Sequence, residues 1–180
     1  MSAQDDVRSF NKKRYALMAP PLLKALESRR FEAYYCPTAA EAVAKALSLM
    51  PPKSSVSWGG SYTLDQTGLT DAVRAGPYKV LDRADAQTPE EKLEVMRRAM
   101  FCDVYLTSFN AVSMDGTVFN IDGNGNRVAA IAFGPGPQRS GPAECRSFRF
   151  HGHALHEDRR LRGLPVRALY LLRDRSDADV

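Results

Sequence analysis

The chain has 180 residues, a formal net charge of +4 and an ordinary share of apolar and charged side chains, which suits one domain that buries a core without staples. No run of about eighteen apolar residues is present, so no membrane insertion is expected, and the charged start MSAQDDVRSFNKKRYALM lacks the apolar stretch of a secretory signal. Residues 1–136 hold sixteen Lys and Arg against fifteen Asp and Glu, whereas residues 137–180 hold nine Arg, no Lys and six acids; the basic excess belongs to the tail, where no motif or aromatic-basic interleaving points to nucleic acid.

Residues 4–30 read as helical with an interruption at Pro20-Pro21, because proline removes a backbone donor and clashes with the preceding turn. FEAYYC (31–36) reads as a strand. Thr38-Ala-Ala-Glu41 is a capping box opening a helix with apolar Ala42, Val43, Ala46 and Leu49. SSVSW (54–58) is a second strand, followed by a helix from Thr63, and YKVLD (78–82) is a third. Thr88-Pro-Glu-Glu91 is another capping box, whose helix runs to about Phe101. DVYLTS (103–108) and Val118–Ile121 are further strands, with Asp115-Gly116 as a turn between them, and Gly125-Asn126-Arg127 opens a short apolar helix. Strands alternating with helices predict an α/β fold, a mostly parallel sheet flanked by helices. Beyond Phe133 only VRALYLL (166–172) reads as a strand. The organisation expected is an α/β domain over 1–136 and an atypical Arg-rich C-terminal tail over 137–180.

Three polar segments follow predicted strands, and in open parallel sheets ligands collect outside the carboxyl ends of strands. In the first, Gly59 and Gly60 let backbone approach a ligand closely, while Ser61 and Thr63 add hydroxyls at a helix start whose free N–H groups favour an anion. Ser108 and Asn110 form the second. In the third, Asn120, Asp122, Gly123, Gly125, Asn126 and Arg127 crowd into eight residues. A complicated turn accounts for the Asn, Asp and Gly. Arg127, however, stands in the first turn of a helix, where the dipole opposes a cation, so it makes better sense facing a carboxylate or phosphate that it grips with two hydrogen bonds. Against each of these stands the plainer reading of turn and cap chemistry.

Cys36, Cys102 and Cys145 are odd in number and widely spaced. They match neither a disulfide framework nor a zinc or iron–sulfur ligand set, and a reducing, cytoplasmic setting is the simplest expectation. His151, His153 and His156 lie in a loop-like stretch with no element to fix metal ligands, so no metal site is expected.

GGSYTL (59–64), TSFNA (107–111), NIDGNGNRVAA (120–130) and FGP (133–135) stand in the order and spacing of the LUD family, which the chain resembles over roughly residues 10–136. The resemblance implies a fold similar to the glucosamine-6-phosphate deaminase, ribose-5-phosphate isomerase and CoA-transferase (NagB/RpiA/CoA-transferase-like) superfamily. It also implies a part in oxidation of L-lactate to pyruvate, a small anionic or phosphorylated ligand, and iron–sulfur oxidoreductase partners. It assigns no catalytic residue and no cofactor. The alternatives are a non-enzymatic regulatory or docking subunit, and a ligase or transferase similar to folate cyclo-ligase or CoA transferase. The chain departs from the family after FGP, where an Arg-rich segment with one cysteine replaces a core strand, a G-x-N-K segment and a Cys-rich tail.

Overall fold

The computed structural model describes residues 3–29 and 31–133, and the backbone of 166–170. Helix α1 (Ala3–Ser28) leads into strand β1 (Phe31–Tyr35), helix α2 (Ala39–Leu49) and strand β2 (Ser55–Trp58). Helices α3 (Tyr62–Thr67) and α4 (Leu69–Ala75) precede β3 (Lys79–Leu81), and a 3-10 turn (Arg83–Asp85) precedes α5 (Pro89–Arg98) and a second 3-10 turn (Ala99–Phe101). Strand β4 (Val104–Leu106), a hairpin of β5 (Ala111–Val112) and β6 (Val118–Phe119), α6 (Asn126–Ala132) and β7 (Val166–Tyr170) complete the order.

The architecture is α/β, with a parallel three-stranded sheet in the order β3-β2-β4 flanked by helices. Val56 of β2 stands between Val80 of β3 and Val104 of β4. The chain leaves β2 through α3 and α4 to reach β3 on one side, then returns through α5 to β4 on the other. This reversal makes the carboxyl ends of β2 and β4 a topological switch point, where connections diverge and leave a crevice. Strand β1 pairs in parallel with β7 from Phe31–Val166 to Tyr35–Tyr170, and β5 pairs antiparallel with β6. Residues 171–172 of the expected last strand lie outside the described residues. So do the tail segment 137–165, its three histidines and Cys145.

Leu26 (α1), Val56 (β2), Val73 (α4), Val104 (β4) and Val118 (β6) are at most 2% exposed, so one core joins all these elements. Each fully buried valine contributes about 1.5–3 kcal/mol over an exposed one. A smaller cluster of Ala99, Cys102, Tyr105 and Ala130 seats α6 against β4 and the second 3-10 turn. Both helix caps form on the expected threonines: Thr38 accepts from Glu41 N–H at 3.2 Å and Thr88 from Glu91 N–H at 3.1 Å, while the Glu91 carboxylate takes the Gln87 N–H at 2.7 Å.

Three local expectations are corrected. Helix α1 runs through Pro20 and Pro21 instead of breaking. The carbonyls these prolines leave without intrahelical donors belong to Ala16 and Leu17, both exposed residues. Burial of Ala19, Leu22 and Leu26 on the opposite face holds the helix together across them. The single helix expected from Thr63 is split at Gly68, whose left-handed backbone (φ 74°) ends α3 and starts α4. Val118–Ile121 stops pairing at Phe119, because the Asn110 side chain takes the Ile121 N–H at 2.8 Å in place of a ladder partner.

Candidate functional site

Two loops leave the parallel sheet at its carboxyl edge, a third follows β6 of the antiparallel hairpin, and side chains bind the three to one another. After Trp58, Gly59 N–H donates to Leu106 O at 3.1 Å, extending the β2–β4 pairing by one step. Ser61 caps α3 by accepting from Leu64 N–H at 3.3 Å, and its hydroxyl donates to Ser108 Oγ at 2.8 Å. This joins the first candidate segment directly to the second. Asn110 joins the second to the third: its Oδ1 accepts from Ile121 N–H and, at 3.1 Å, from Arg127 Nη2.

Asp122 organises the third loop. Gly125 is the N-cap of α6 and has no side chain to offer. Asp122 supplies the missing acceptor, taking Arg127 N–H at 2.6 Å, Val128 N–H at 3.2 Å and Asn124 N–H at 3.3 Å. Burial alone pushes its pKa up, but these three donors and the nearby Arg127 charge outweigh that and hold the carboxyl below its usual range. The free N–H groups expected at the start of α3 are reduced by one, since Ser61 accepts from Leu64 N–H. The first turn of α6 already holds a carboxylate, and that of α3 is capped by Ser61.

Arg127 ties all three loops. Nη1 donates to Gly60 O at 3.4 Å, and Nη2 donates to Ile121 O at 2.5 Å as well as to Asn110. Among the described residues its buried Nε has no hydrogen-bond partner, and neither have the two side-chain amide atoms of Asn120. The glycine pair also has a different use from the one expected. A Cβ on Gly59 would lie 3.0 Å from the Tyr105 hydroxyl and 3.1 Å from Arg127 Cδ; one on Gly60 would lie 2.6 Å from Arg83 Nη2. The two glycines make room for arginine side chains of their own chain.

Arg83 is the residue that sequence reasoning missed. It follows β3, so all three strands of the sheet contribute at this edge. Its neighbours Asp82 and Asp85 are both bound to Arg74, Asp85 at 3.1 Å. Among the described residues Arg83 itself has no hydrogen bond or ion pair. The available signal was its position just past YKVLD, at the carboxyl end of a strand. Beneath lies Tyr105, 3% exposed, whose phenol burial pushes up to about 12; the charges of Arg83 and Arg127 act against that rise and Asp122 adds to it. At neutral pH it is a hydroxyl, not a base.

Gly60 and Arg83 face Ile121, Asp122, Gly123, Asn124, Asn126 and Arg127 across a cleft of about 250 Å³. Of the residues expected in a site, Gly60, Asp122, Gly123, Asn126 and Arg127 line it. Gly59, Ser61, Ser108 and Asn110 stand behind them as supports. Thr63 and Gly125 are outside the lining; Gly125 has the positive φ of 74° that the turn into α6 requires. Cys36 and Cys102 are buried. Desolvation raises the Cys102 thiol to about 12, and it donates to Ala99 O and Val104 O, so it is a packing residue and not a nucleophile. Among the described residues no cluster of three or more His, Cys, Asp or Glu is placed to hold a metal, and no helix is long and apolar enough to cross a membrane.

These features define an α/β protein with a small polar cleft at the carboxyl ends of parallel strands. The family model of the LUD domain matches residues 21–136, well over half of the chain, and the chain belongs to that family, which is associated with lactate utilisation. No curated protein and no solved structure matches it. The family match spans the three loops that build the cleft.

Proposed function

We propose that this protein is a component of L-lactate oxidation to pyruvate and that its cleft binds a small organic anion. One observation carries the reading: among the described residues two guanidinium groups, Arg83 and Arg127, flank Gly60, against a single lining carboxylate, Asp122, that is already committed to backbone donors. Such a cleft is short of negative charge. Its volume falls below the range of about 300–1,000 Å³ typical for drug-sized ligands, which favours a short-chain acid over an acyl-CoA. Ile121, 80% exposed on its wall, offers an apolar surface to a short carbon chain.

A second reading, a binding or regulatory subunit without a reaction of its own, is favoured by the state of the acidic groups. A transferase of the CoA type needs a free carboxylate nucleophile, and Asp122 is held as a helix cap. Tyr105 and Cys102 stay protonated far above neutrality. On this reading the redox chemistry belongs to iron–sulfur oxidoreductase partners. A thermal-shift panel of L-lactate, pyruvate, sugar phosphates, nucleotides and CoA esters tests the binding claim. A dose-dependent rise of the midpoint with a small anion supports it, and a midpoint unmoved by every compound at millimolar concentration rejects it.

A further inference from the structure

We infer that Arg83, seated over Gly60, is the residue that anchors the anion in the cleft, and that Asp122 on the facing wall restricts the ligand to singly charged anions. The inference rests on the reading of the cleft as an anion site and assigns the roles within it. The two arginines differ in what their donors already do. Of the five N–H groups of Arg127, three are spent on Gly60 O, Asn110 Oδ1 and Ile121 O, and the Nε–H is buried. Gripping a ligand with a two-pronged contact would require Arg127 to release bonds that hold the loops together. Arg83 has no such bonds among the described residues, because Arg74 takes both flanking carboxylates. Its planar fork is free to meet a carboxylate with two parallel hydrogen bonds.

The glycine at position 60 fits this role. A Cβ there would stand 2.6 Å from Arg83 Nη2, an overlap that the flexible arginine can relieve only by moving its guanidinium away. The side chain therefore lies over this wall because residue 60 has none. Charge accounting supplies the second half. Arg83 and Arg127 contribute two positive charges and Asp122 one negative, since its three backbone donors keep it ionised. A monoanion neutralises the remaining charge. A dianion leaves a surplus next to the Asp122 carboxylate, where like charges oppose binding.

Isothermal titration calorimetry on the full chain, with L-lactate, malonate and inorganic phosphate as probes, separates the possibilities. The wild-type protein is expected to bind the monoanion L-lactate more tightly than the dianion malonate. Arg83→Gln is expected to weaken L-lactate roughly ten- to hundredfold, Arg83→Lys to weaken it less, and Gly60→Ala to weaken it several-fold, with each melting temperature near wild type. Wild-type binding that Arg83→Gln leaves intact overturns the assignment of the anchor while the cleft stands as an anion site. Malonate binding at least as tightly as L-lactate overturns the charge restriction. No heat with any of the three probes removes the anion-site reading itself.

Discussion

Replacing Arg127 by alanine should damage the fold before it damages anything else. The side chain donates to one acceptor in each of three loops, so its loss unties Gly60, Asn110 and Ile121 at once. Hydrogen bonds from a charged donor are worth about 1.5–3 kcal/mol each. The 3.4 Å bond to Gly60 is long and adds little, which leaves two effective bonds. Arg127 is half-buried, so water recovers part of both, and a total of about 1.5–3 kcal/mol remains. In a chain of this size that corresponds to a fall in Tm of roughly 3–12 °C. Urea unfolding followed by circular dichroism, with no ligand present, measures it as a lower midpoint at unchanged slope. Arg127→Lys keeps the charge but cannot reach three divergent acceptors, so it should recover less than half of the loss. An Arg127→Ala protein as stable as wild type that fails to bind an anion would refute the reasoning and return Arg127 to a ligand-gripping role.

Gly116→Ala should destabilise by about 2–4 kcal/mol, because its φ of 81° disfavours a side chain and the new Cβ would lie 2.9 Å from the Ala25 carbonyl; Gly68→Ala, with φ 74° and open space, should cost only about 1–2 kcal/mol. Equal losses in thermal unfolding would remove the close approach of the hairpin to α1 as the cause. Stability should fall as pH rises from 9 to about 12, since unfolded Cys102 and Tyr105 ionise from ordinary values of 9.0 and 10.0 while the folded groups hold their protons to about 12. Cys102→Ala should flatten the first part of that fall, and an unchanged alkaline limb would contradict the burial argument. Asp122→Asn should cost about 0.5–2 kcal/mol at neutral pH through a weaker cap. The wild-type carboxylate has a depressed pKa, so its contribution is present above about pH 4 and lost as pH falls through the folded value. The variant's acid limb should therefore be shallower; identical acid limbs would show that Asp122 is not the cap.

Where local chemistry decides structure, the sequence was readable. The capping boxes at Thr38 and Thr88 state their own helix starts, and Asp115-Gly116 states its turn. The alternation of strands and helices was enough to predict a parallel sheet. What it could not convey depends on distant partners. Nothing within residues 15–25 says that Ala19, Leu22 and Leu26 pack well enough to carry a helix through two prolines. Nor does any local pattern place β7 beside β1, its parallel partner far away in the chain.

The cleft shows the same division at the level of single side chains. NIDGNGNR is conspicuous because a loop that satisfies its own backbone needs a particular pattern. It needs a carboxylate at Asp122 to cap α6, a left-handed glycine at 125 and an arginine at 127 to reach the Ile121 carbonyl within the loop and the Gly60 carbonyl across the gap. That conspicuousness reports the demands of the loop, and the residues it marks are largely bonded to one another. An anchor for a ligand has no such demands. It needs only to stand at the edge of the sheet with its donors unspent, and among the described residues Arg83 does so within D-R-A-D, a segment with no pattern to notice. The one local trace of it lies elsewhere in the chain, at Gly60, where the absence of a side chain admits the guanidinium. A paired glycine at a strand end thus signals that something comes close. Whether that is a ligand or another part of the chain is decided by residues such as Arg83 and Tyr105, which only the folded sheet brings beside it.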